Sequence, residues 1–374
     1  MKAVAVDPAK RSVEIIEHES PTLENPADVK IRLLDVGVCG TDREIVAFEY
    51  GTPPQGSPYL IIGHEALGQA VEVGPAVTRI RPGDLVVPMV RRPCPHADCV
   101  ACREGRPDFC YTGDFTERGI KGAHGFMTEL VVDDEQYMNV VPPELRDVAV
   151  LIEPLTIAQK ALRQVFQVQQ RLPWGCPTKN GAAPAYCHRA VVLGAGPVGL
   201  LGALSLAAAG FQTFVYSRER TPNRRANLIQ QFGGQYLSSQ MHSVEQLAQH
   251  VGNVDLVLEA VGASRVAFDV MTVLGANGVF VFTGVPGRKA PIELDTDLIM
   301  RNLVLKNQVV FGTVNAGRET FADAIAALRG FVNRWPDVVR GLITSRRPLA
   351  AAREVLLGKP GGIKNVITLD GAKL

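Results

Sequence analysis

Four cysteines lie close together in the segment RRPCPHADCVACREGRPDFC, which covers residues 91–110. They are Cys94, Cys99, Cys102 and Cys110. Thiolates are typical ligands of structural zinc, and four of them leave no coordination position open for a substrate or a water molecule. The segment therefore predicts a closed zinc site, whose metal stabilises the local fold and takes no part in a reaction.

Two further cysteines lie in a stretch rich in proline and glycine, PWGCPTKNGAAPAYC. The chain has seven cysteines in all, and in a reducing compartment a crowded group of four favours metal binding over disulfides. We therefore predict that Cys176 and Cys187 are free thiols in a linker.

A cysteine, a histidine and a glutamate lie in turns of the N-terminal region. Cys39 follows a predicted strand in VGVCGTDREI, and His64 and Glu65 are adjacent in IIGHEALG. A thiolate, an imidazole and a carboxylate are the ligands of an open zinc site, where water or substrate takes the last position. Zinc in such a site polarises an alcohol oxygen and eases the loss of its proton.

A glycine-rich turn follows the predicted strand AVVL and precedes an apolar helix. Its glycines are Gly194, Gly196 and Gly199, spaced as G-x-G-x-x-G. In this context the first glycine makes the tight turn, the second admits a pyrophosphate, and the third allows the helix to pack closely on the sheet. The free N–H groups at the helix N-terminus stabilise the phosphate charge. The motif predicts a dinucleotide-binding site.

The next predicted strand ends in FVYSRER and indicates which dinucleotide binds. An NAD site has an acidic residue near Ser217 to accept from the ribose 2′-hydroxyl, and the sequence has none there. Arg218 and Arg220 follow instead, and guanidinium groups suit a 2′-phosphate, which favours NADP. Glu219 between them leaves NAD possible. The alternative interpretation is that both arginines are solvated on a surface loop.

These sites need two kinds of domain to position them. Short β-type runs broken by Gly, Pro and Asp fill residues 1–150 and predict a β-rich, barrel-like domain. Residues 152–172 have the apolar spacing of a long amphipathic helix, and the Pro/Gly-rich residues 173–188 predict a linker. Strands then alternate with helices, which predicts βαβ units around a parallel sheet.

We therefore expect an α/β chain of two domains, which its 374 residues also favour. The nucleotide-binding domain covers residues 189–310. The catalytic domain combines residues 1–188 with residues 311–374, and its zinc lobe covers residues 91–112.

Composition and charge exclude other classes of protein. A net charge of +1 gives no attraction to nucleic acid or to a membrane surface, and 6% aromatic residues do not suit a nucleic-acid-binding zinc finger. The longest apolar run, residues 200–210, is too short to span a bilayer. The first residues carry charges and no signal-peptide pattern, so we expect a cytoplasmic protein.

Together these motifs closely resemble those of the zinc-dependent medium-chain dehydrogenases, with G-H-E near residue 65 and a cysteine-rich lobe near residue 100. Within that superfamily the chain is most similar to the glucose dehydrogenase branch of archaea and bacteria. The resemblance is carried by VCGTDREIV, GHEALG, PMVRRPC, GRPDFCYTGDFTERGI, IEPL, GTVNAG and IKNVITL. It runs essentially from end to end. It implies a GroES-like catalytic domain joined to a doubly wound Rossmann domain that binds the dinucleotide.

The resemblance implies a catalytic zinc held by Cys39, His64 and Glu65. Glu153, in IEPL, would be a further carboxylate, bound to the metal either directly or through water. Thr41 corresponds to the Ser or Thr that passes the substrate proton towards the cofactor ribose.

Other positions of the family motifs concern the substrate and the cofactor. Glu117, in TERGI, matches a sugar-binding acid, and Asn315, in TVNAG, matches a residue beside both nicotinamide and substrate. Glu44 stands where many alcohol dehydrogenases have a relay histidine, and Ile157 stands where some relatives have an acid. The expected cofactor contacts are Gly194, Gly196, Pro197, Val198, Gly199, Ser217, Arg218, Arg220, Thr283, Val285, Asn315 and Lys364.

The resemblance leaves two alternatives for the first ligand of the cysteine lobe. The family spacing is C-x2-C-x2-C-x7-C, and the last three cysteines of the lobe keep it. Strict spacing gives His96 as the first ligand, whereas the preceding RRP gives Cys94. We favour Cys94, because a two-residue insertion is easier than a change of ligand and leaves no unpaired thiol.

The implied function is an NAD(P)-dependent D-glucose 1-dehydrogenase with two zinc ions per chain. It would oxidise the anomeric hydroxyl of the sugar to the lactone. The alternative is a dehydrogenase of the same mechanism that acts on galactose, another aldose, a polyol or a secondary alcohol. The resemblance also implies a dimer or tetramer built through the nucleotide-binding domains.

Overall fold

The structure is a computed structural model that describes residues 1–181, 183–287 and 291–369. In chain order the strands are β1 Lys2–Asp7, β2 Ser12–Glu17, β3 Asp28–Val38, β4 Leu60–Ile61, β5 Glu65–Val73, β6 Leu85–Pro88, β7 Arg91–Arg92, β8 Thr116–Arg118, β9 Gly122–Ala123, β10 Leu130–Asp134, β11 Met138–Val141, β12 Arg189–Leu193, β13 Gln212–Ser217, β14 Gln235–Ser238, β15 Leu256–Glu259, β16 Val279–Phe282, β17 Val309–Gly312, β18 Ile343–Pro348 and β19 Lys364–Thr368. The α-helices are α1 Gly40–Val46, α2 Val100–Arg103, α3 Ile152–Gln169, α4 Pro197–Ala209, α5 Arg224–Gln231, α6 Val244–Val251, α7 Ser264–Met271, α8 Thr296–Leu305, α9 Arg318–Arg334, α10 Pro336–Leu342 and α11 Ala352–Leu357.

The described chain forms two compact units. The first contains residues 1–156, 315–332 and the described part of 342–374, and the second contains residues 157–314 and 333–341. The sequence-based boundaries differ, because they assign residues 311–314, 333–341 and, as the longest of these segments, residues 157–188 to the catalytic domain. The physical reason is helix α3, which continues without a break past residue 156. Beyond that point it packs against α4, where Gln159 donates to the Ser205 hydroxyl at 2.9 Å.

The first unit is built around one long, mostly buried strand, β3. The strand belongs to a seven-stranded sheet of order β11-β6-β5-β3-β19-β18, in which β10 also pairs with β3. Apolar side chains that are almost fully buried line it, including Val29, Ile31 and Leu33. Removing such side chains from water is the main favourable term that holds this sheet to its neighbours. Two three-stranded sheets, β2-β1-β4 and β7-β8-β9, complete the unit.

Three strand ends meet at one place in this sheet. Strand β3 ends just before Cys39, and its residue Gly37 is paired with Glu65, the first residue of β5. Strand β19 begins at Lys364, and its second residue is paired with Val38. A Cβ atom on Gly37 would lie 2.2 Å from Glu65 Oε2, so only glycine allows this carboxylate to approach the backbone. The sheet register thus brings distant parts of the sequence together.

The second unit contains a six-stranded parallel sheet of order β14-β13-β12-β15-β16-β17. This is the doubly wound order in which the first strand is central and a crevice forms where the order reverses. The strands are buried apolar runs, as expected for a parallel sheet covered on both faces. Residues of β12, β15 and β16 are almost fully inaccessible, among them Val191, Val257 and Phe280.

The prediction of free thiols in the segment before β12 is wrong. Cys176 and Cys187 form a disulfide with a Cα–Cα distance of 5.7 Å. The segment folds back on itself, because the Tyr186 hydroxyl donates to the Pro177 carbonyl at 3.0 Å and the His188 N–H donates to the Ala185 carbonyl. These contacts within the loop leave no periodic signal in the sequence.

No helix in the described ranges is both long enough and apolar enough to cross a membrane.

Candidate active site

The three residues of the predicted open zinc site come together in the first unit. The ligand atoms of Cys39, His64 and Glu65 all lie within 4.8 Å of one another. His64 is 5% exposed and Glu65 is 1% exposed. A thiolate, an imidazole and a carboxylate at this spacing fit zinc, which accepts all three donor types. The imidazole nitrogen His64 Nδ1 is buried and also lacks a hydrogen-bond partner, which suits a ring whose role is to bind a metal ion.

Asp42 is a buried carboxylate that supports this site and was not predicted from the sequence. It is completely inaccessible. Its Oδ2 accepts from the Cys39 N–H at 2.8 Å, and its Oδ1 accepts from the Gly63 N–H at 3.2 Å. The same Oδ1 lies 3.5 Å from His64 Nδ1, which is too long for a good hydrogen bond but close enough for a strong charge interaction. Asp42 therefore positions the backbone beside two of the three ligands.

This environment changes how easily His64 is protonated. Burial lowers the pKa of His64, but the charge of Asp42, together with that of Cys39 beside the ring, outweighs burial. The result is a pKa well above the ordinary value for histidine. A metal ion must therefore displace a proton from this ring, since only a neutral imidazole is a ligand.

Lys364 lies at the metal site itself, a position that the sequence did not indicate. Its ammonium group donates to Glu65 Oε1 at 2.8 Å, to Glu65 Oε2 at 2.5 Å and to the Val38 carbonyl at 3.3 Å. Burial lowers the pKa of Lys364, but the charges of Glu65 and Cys39 outweigh burial and raise it. The contact of Lys364 with the cofactor stays a prediction, and in this structure the three ammonium donors are directed at Glu65 and Val38 instead.

Glu153 and Thr41 lie near the three-residue cluster without belonging to it. Burial raises the pKa of Glu153 to about 7, and the charge of Glu65 adds to this rise while that of His64 opposes it. The carboxylate is thus close enough to interact electrostatically but lies outside the group of mutually adjacent ligand atoms. The Thr41 hydroxyl is 4.0 Å from the Cys39 sulfur.

Thr41, Glu117, Glu153 and Asn315 are the residues expected to bind the sugar, and two of them, Glu117 and Asn315, are bonded to each other. Asn315 Nδ2 donates to Glu117 Oε1 at 3.0 Å, and both side chains are at least nine-tenths buried. Asn315 adopts a left-handed backbone conformation, with φ of 58°, and its Oδ1 accepts from the Ala316 N–H at 2.8 Å. Arg91 also donates to Glu117, and no sequence motif indicated its role.

The four cysteines of the lobe also come together. The ligand atoms of Cys94, Cys99, Cys102 and Cys110 all lie within 4.8 Å of one another. His96 is outside this group, 43% exposed, and forms an ion pair with Asp114. The geometry therefore favours Cys94 over His96 as the first ligand of a structural metal.

The glycine-rich turn of the second unit has the geometry of a phosphate-binding loop. Helix α4 begins at Pro197, which suits a first helical position because its missing N–H would have no partner there. A Cβ atom on Gly199 would lie 2.2 Å from the Gly194 carbonyl, so the helix can approach the turn only with glycine at this position. Gly196 has no atom within 4 Å of its Cβ direction, which leaves room for a ligand, and Val198 follows in the first turn.

The end of β13 presents the arginines that were expected to select the cofactor. Ser217 is half-buried, and Arg218 and Arg220 are exposed. Arg220 Nε donates to Gln240 at 3.3 Å. The Glu219 carboxylate is engaged in an ion pair with Arg225 of α5. The one acid in this stretch is thus bound by a cation, which leaves it less available to accept a hydrogen bond from a ribose hydroxyl.

A buried carboxylate that was not predicted from the sequence, that of Glu259, organises the loops after β15 and β16. Glu259 Oε1 accepts from the N–H groups of Val261 and Gly262, both at 2.7 Å, and its Oε2 accepts from the Gly284 N–H at 3.1 Å. The Thr283 hydroxyl donates to the Glu259 carbonyl at 2.7 Å. Val285, a further expected cofactor contact, is 74% exposed. The sequence signal that could have identified Glu259 is its position as an acid at the end of an otherwise apolar strand.

Family models match both units. One described as "Glucose dehydrogenase C-terminus" covers residues 146–369, and one described as "Alcohol dehydrogenase GroES-like domain" covers residues 25–143. The chain is 38% identical over 370 residues to a glucose 1-dehydrogenase of Methanocella arvoryzae, with 99% of each chain covered. It is 37% identical to that of Metallosphaera sedula, with 98% of each covered.

A solved structure of Haloferax mediterranei glucose dehydrogenase in complex with NADP, Zn and gluconolactone has a TM-score of 0.88 to this chain. It is 31% identical and covers 100% of both chains. Galactitol-1-phosphate dehydrogenase of Escherichia coli shares the fold alone, at 19% identity and a TM-score of 0.78.

A GroES-like β-rich unit and a doubly wound nucleotide-binding unit define the class of the medium-chain dehydrogenases. Within that class the chain belongs to the glucose dehydrogenase family, as the family models and the full-length relatives show. The fold class and the family that the sequence predicted are both confirmed.

Proposed function

We propose that the chain is a zinc-dependent, NADP-preferring D-glucose 1-dehydrogenase. The observation that carries the proposal is the cluster of Cys39, His64 and Glu65 within 4.8 Å, in a chain whose full-length relatives are named glucose 1-dehydrogenase. The C1 hydroxyl of the sugar loses its proton, and the C1 hydrogen leaves as hydride to the nicotinamide. The products are the lactone and the reduced cofactor.

Two groups supply chemistry that no side chain has. Zinc at Cys39, His64 and Glu65 acts as a Lewis acid on the substrate oxygen, and NADP accepts the hydride. The chain's own residues hold these groups and the sugar in position. Glu65 is ion-paired with Lys364, and Glu153 interacts with the charges of His64, Glu65 and Lys364. These buried charges determine how closely either carboxylate approaches the metal.

Three side chains are proposed to act on the sugar. The Thr41 hydroxyl accepts the proton from the C1 hydroxyl and passes it towards the cofactor ribose. The Glu117 carboxylate accepts from a sugar hydroxyl, and Asn315 orients both that carboxylate and the nicotinamide. Because Glu44 stands in place of the relay histidine, the proton leaves by another route than an imidazole.

The preference for NADP is supported by two features of the β13 end. Arg218 and Arg220 are exposed cations, and Glu219 is ion-paired with Arg225. Arg218→Ala is expected to raise the KM for NADP by about tenfold and to leave the KM for NAD unchanged, because only NADP has the 2′-phosphate. An equal change for both cofactors would contradict this assignment.

A substrate panel tests the proposed reaction. Glucose, galactose, other aldoses, polyols and secondary alcohols would be compared with NADP and with NAD. Highest kcat/KM with glucose and NADP is expected. The second candidate, another aldose, a polyol or a secondary alcohol, is favoured by Ile157, an apolar residue where some relatives have an acid.

The role of the open site is tested separately from the cofactor site. His64→Ala should abolish turnover while NADPH affinity survives, because the nucleotide-binding turn lies in the other unit. Turnover close to that of the wild-type protein would refute the zinc assignment.

The closed site is tested by metal content. We propose that Cys94, Cys99, Cys102 and Cys110 hold a structural zinc, so Cys94→Ser should release one of the two zinc ions per chain. His96→Ser is the matched control and should retain both. The reverse result would assign the ligand to His96.

A homo-oligomer, formed by second copies of the chain through the nucleotide-binding unit, is part of the proposal. Apolar side chains are exposed on α8, with Met300 at 63%, Val304 at 70% and Leu305 at 66%. Strand β17 is at the edge of the parallel sheet, where a second copy can pair. A cytoplasmic location is proposed with it, since the implied cofactor and the thiolate site suit that compartment.

A further inference from the structure

Glu117 has an unusual distribution of hydrogen bonds between its two oxygens. Oε1 accepts from Arg91 Nε at 3.1 Å, from Arg91 Nη2 at 3.0 Å and from Asn315 Nδ2 at 3.0 Å. In the part of the chain that the structure describes, Oε2 accepts no hydrogen bond, and it is not among the buried polar atoms that lack a partner. Oε2 is therefore the oxygen left for a ligand.

This arrangement differs from the usual structural pair of arginine and carboxylate. Such a pair is commonly bidentate, with two parallel bonds that satisfy both oxygens. Here both arginine donors converge on one oxygen and the amide of Asn315 joins them. A buried ion pair is also weak support for stability in itself, because removing both charges from water costs about as much as their attraction returns. The geometry is that of a carboxylate held in one orientation.

Arg91 is itself held rigidly by elements around it. Strand β7 pairs with β8 so that Arg91 and Glu117 are direct cross-strand neighbours. The guanidinium carbon lies 3.7 Å from the centre of the Phe115 ring. Its Nη1 points at the carbonyls of Pro107 and Asp108, at 3.4 and 3.5 Å, in the short 3-10 helix just before Cys110. The arginine thus links the cysteine lobe to Glu117.

We propose that Arg91 is a positioning residue for substrate. It holds the Glu117 carboxylate turned so that Oε2 accepts from one particular hydroxyl of the sugar, and it transmits the order of the cysteine lobe to that carboxylate. The proposal deepens the proposed function and rests on it, since it requires an aldose as substrate.

The test measures kcat/KM of the wild-type protein, Arg91→Met, Glu117→Gln and the double variant with glucose and with each single deoxy analogue of glucose. The wild-type protein is expected to lose about tenfold or more in kcat/KM with the analogue that lacks the hydroxyl bound by Glu117. Both variants should lose about 10- to 100-fold in kcat/KM for glucose, mainly through KM, and both should lose discrimination at that same hydroxyl. Because Arg91 acts through Glu117, the double variant should be little worse than Glu117→Gln alone.

Arg92→Met is the matched control. Arg92 is the next residue of β7, pairs with Asp133 and lies 4.0 Å over the Tyr137 ring. It also donates to the Arg91 carbonyl at 3.3 Å, but its ion pair is with Asp133 and not with Glu117, so it has a similar environment without a direct bond to the Glu117 carboxylate. Its loss should change thermal stability without changing the KM for glucose. Zinc content and NADP affinity are measured for every variant. If Arg91→Met does not fold, Arg91→Lys, which keeps the charge but has no fork of donors, is compared in the same way.

The outcomes separate the two proposals. If the wild-type protein oxidises glucose and Arg91→Met discriminates among the deoxy analogues as the wild-type protein does, the proposed role of Arg91 is overturned while the proposed function stands. Additive losses in the double variant, or loss of zinc and NADP binding together with substrate binding, would also overturn it in favour of a merely structural role. If the wild-type protein oxidises no aldose, the proposed function fails and the role of Arg91 fails with it.

Discussion

Replacing Asp42 should weaken zinc binding although Asp42 is not a ligand. In Asp42→Ala the buried N–H group of Gly63 and the partly buried N–H group of Cys39 lose their acceptor. Each orphaned donor costs about 1–3 kcal/mol, so the free energy of unfolding should fall by about 2–6 kcal/mol. For a unit of this size that corresponds to a fall in Tm of roughly 5–20 °C.

The effect on the metal follows from the contact of Asp42 with His64. Loss of a carboxylate that orients a ligating histidine typically lowers metal affinity by about 10- to 100-fold. Asp42→Asn keeps the volume and one acceptor, but its NH2 group then faces a backbone donor or the imidazole. We expect it to lie between the wild-type protein and Asp42→Ala in both properties.

Zinc affinity would be measured by competition with a chromophoric chelator, and stability by thermal unfolding of metal-free protein. Asp295→Ala is the control, because Asp295 also accepts from a backbone N–H at a helix start, that of Leu298 at 2.9 Å, but lies far from the site in sequence and belongs to the other unit. It should cost about 1 kcal/mol and leave zinc affinity unchanged. Zinc affinity of Asp42→Ala within about twofold of the wild-type value would refute the reasoning.

Three other predictions concern protons, thiols and assembly. The pKa of His64 is raised in the metal-free protein, so the contribution of protonated His64 to the free energy of unfolding is fully present below the ordinary histidine pKa and is lost as pH rises through the raised value. Zinc affinity should rise over the same pH range, because the metal then competes with fewer protons. A zinc affinity that does not change with pH in chelator competition would contradict this prediction. Denatured, zinc-free protein should show five free thiols of seven before reduction and all seven after it, whereas seven before reduction would exclude the pairing of Cys176 with Cys187. Met300→Lys with Val304→Lys should yield monomers by light scattering, since charges would replace the exposed apolar face of α8, and an unchanged mass would refute that interface.

The parts that the sequence predicted well depend on local patterns. The turn from Gly194 to Gly199 follows a strand and opens a helix, and the spacing alone expresses that arrangement. The four lobe cysteines lie within one short segment, so they could be grouped before any fold was known. The adjacency of His64 and Glu65 needed no tertiary information either.

The parts that it missed depend on contacts between distant segments. Lys364 reaches Glu65 only because β19 and β5 flank β3. Asp42 lies three residues after Cys39, at a helix start where an acid commonly accepts from the preceding backbone, and that pattern could have revealed its contact with the Cys39 N–H. Its position beside Gly63 and His64 could not be read from spacing. The disulfide and the course of α3 into the second unit depend on packing in the same way.

The pairing of Lys364 with Glu65 has a consequence for how the protein is made. The two residues are 299 positions apart, so at about 5–20 residues per second a ribosome needs about 15–60 s after Glu65 to supply its partner. During that interval the Glu65 carboxylate of the nascent N-terminal unit has no cation to pair with, so its burial is costly. The seven-stranded sheet also lacks β19, one of the neighbours of β3. Final closure of the metal-binding region is therefore a late event of synthesis, and termination of translation at any point between Glu65 and Lys364 would leave a chain without a finished site.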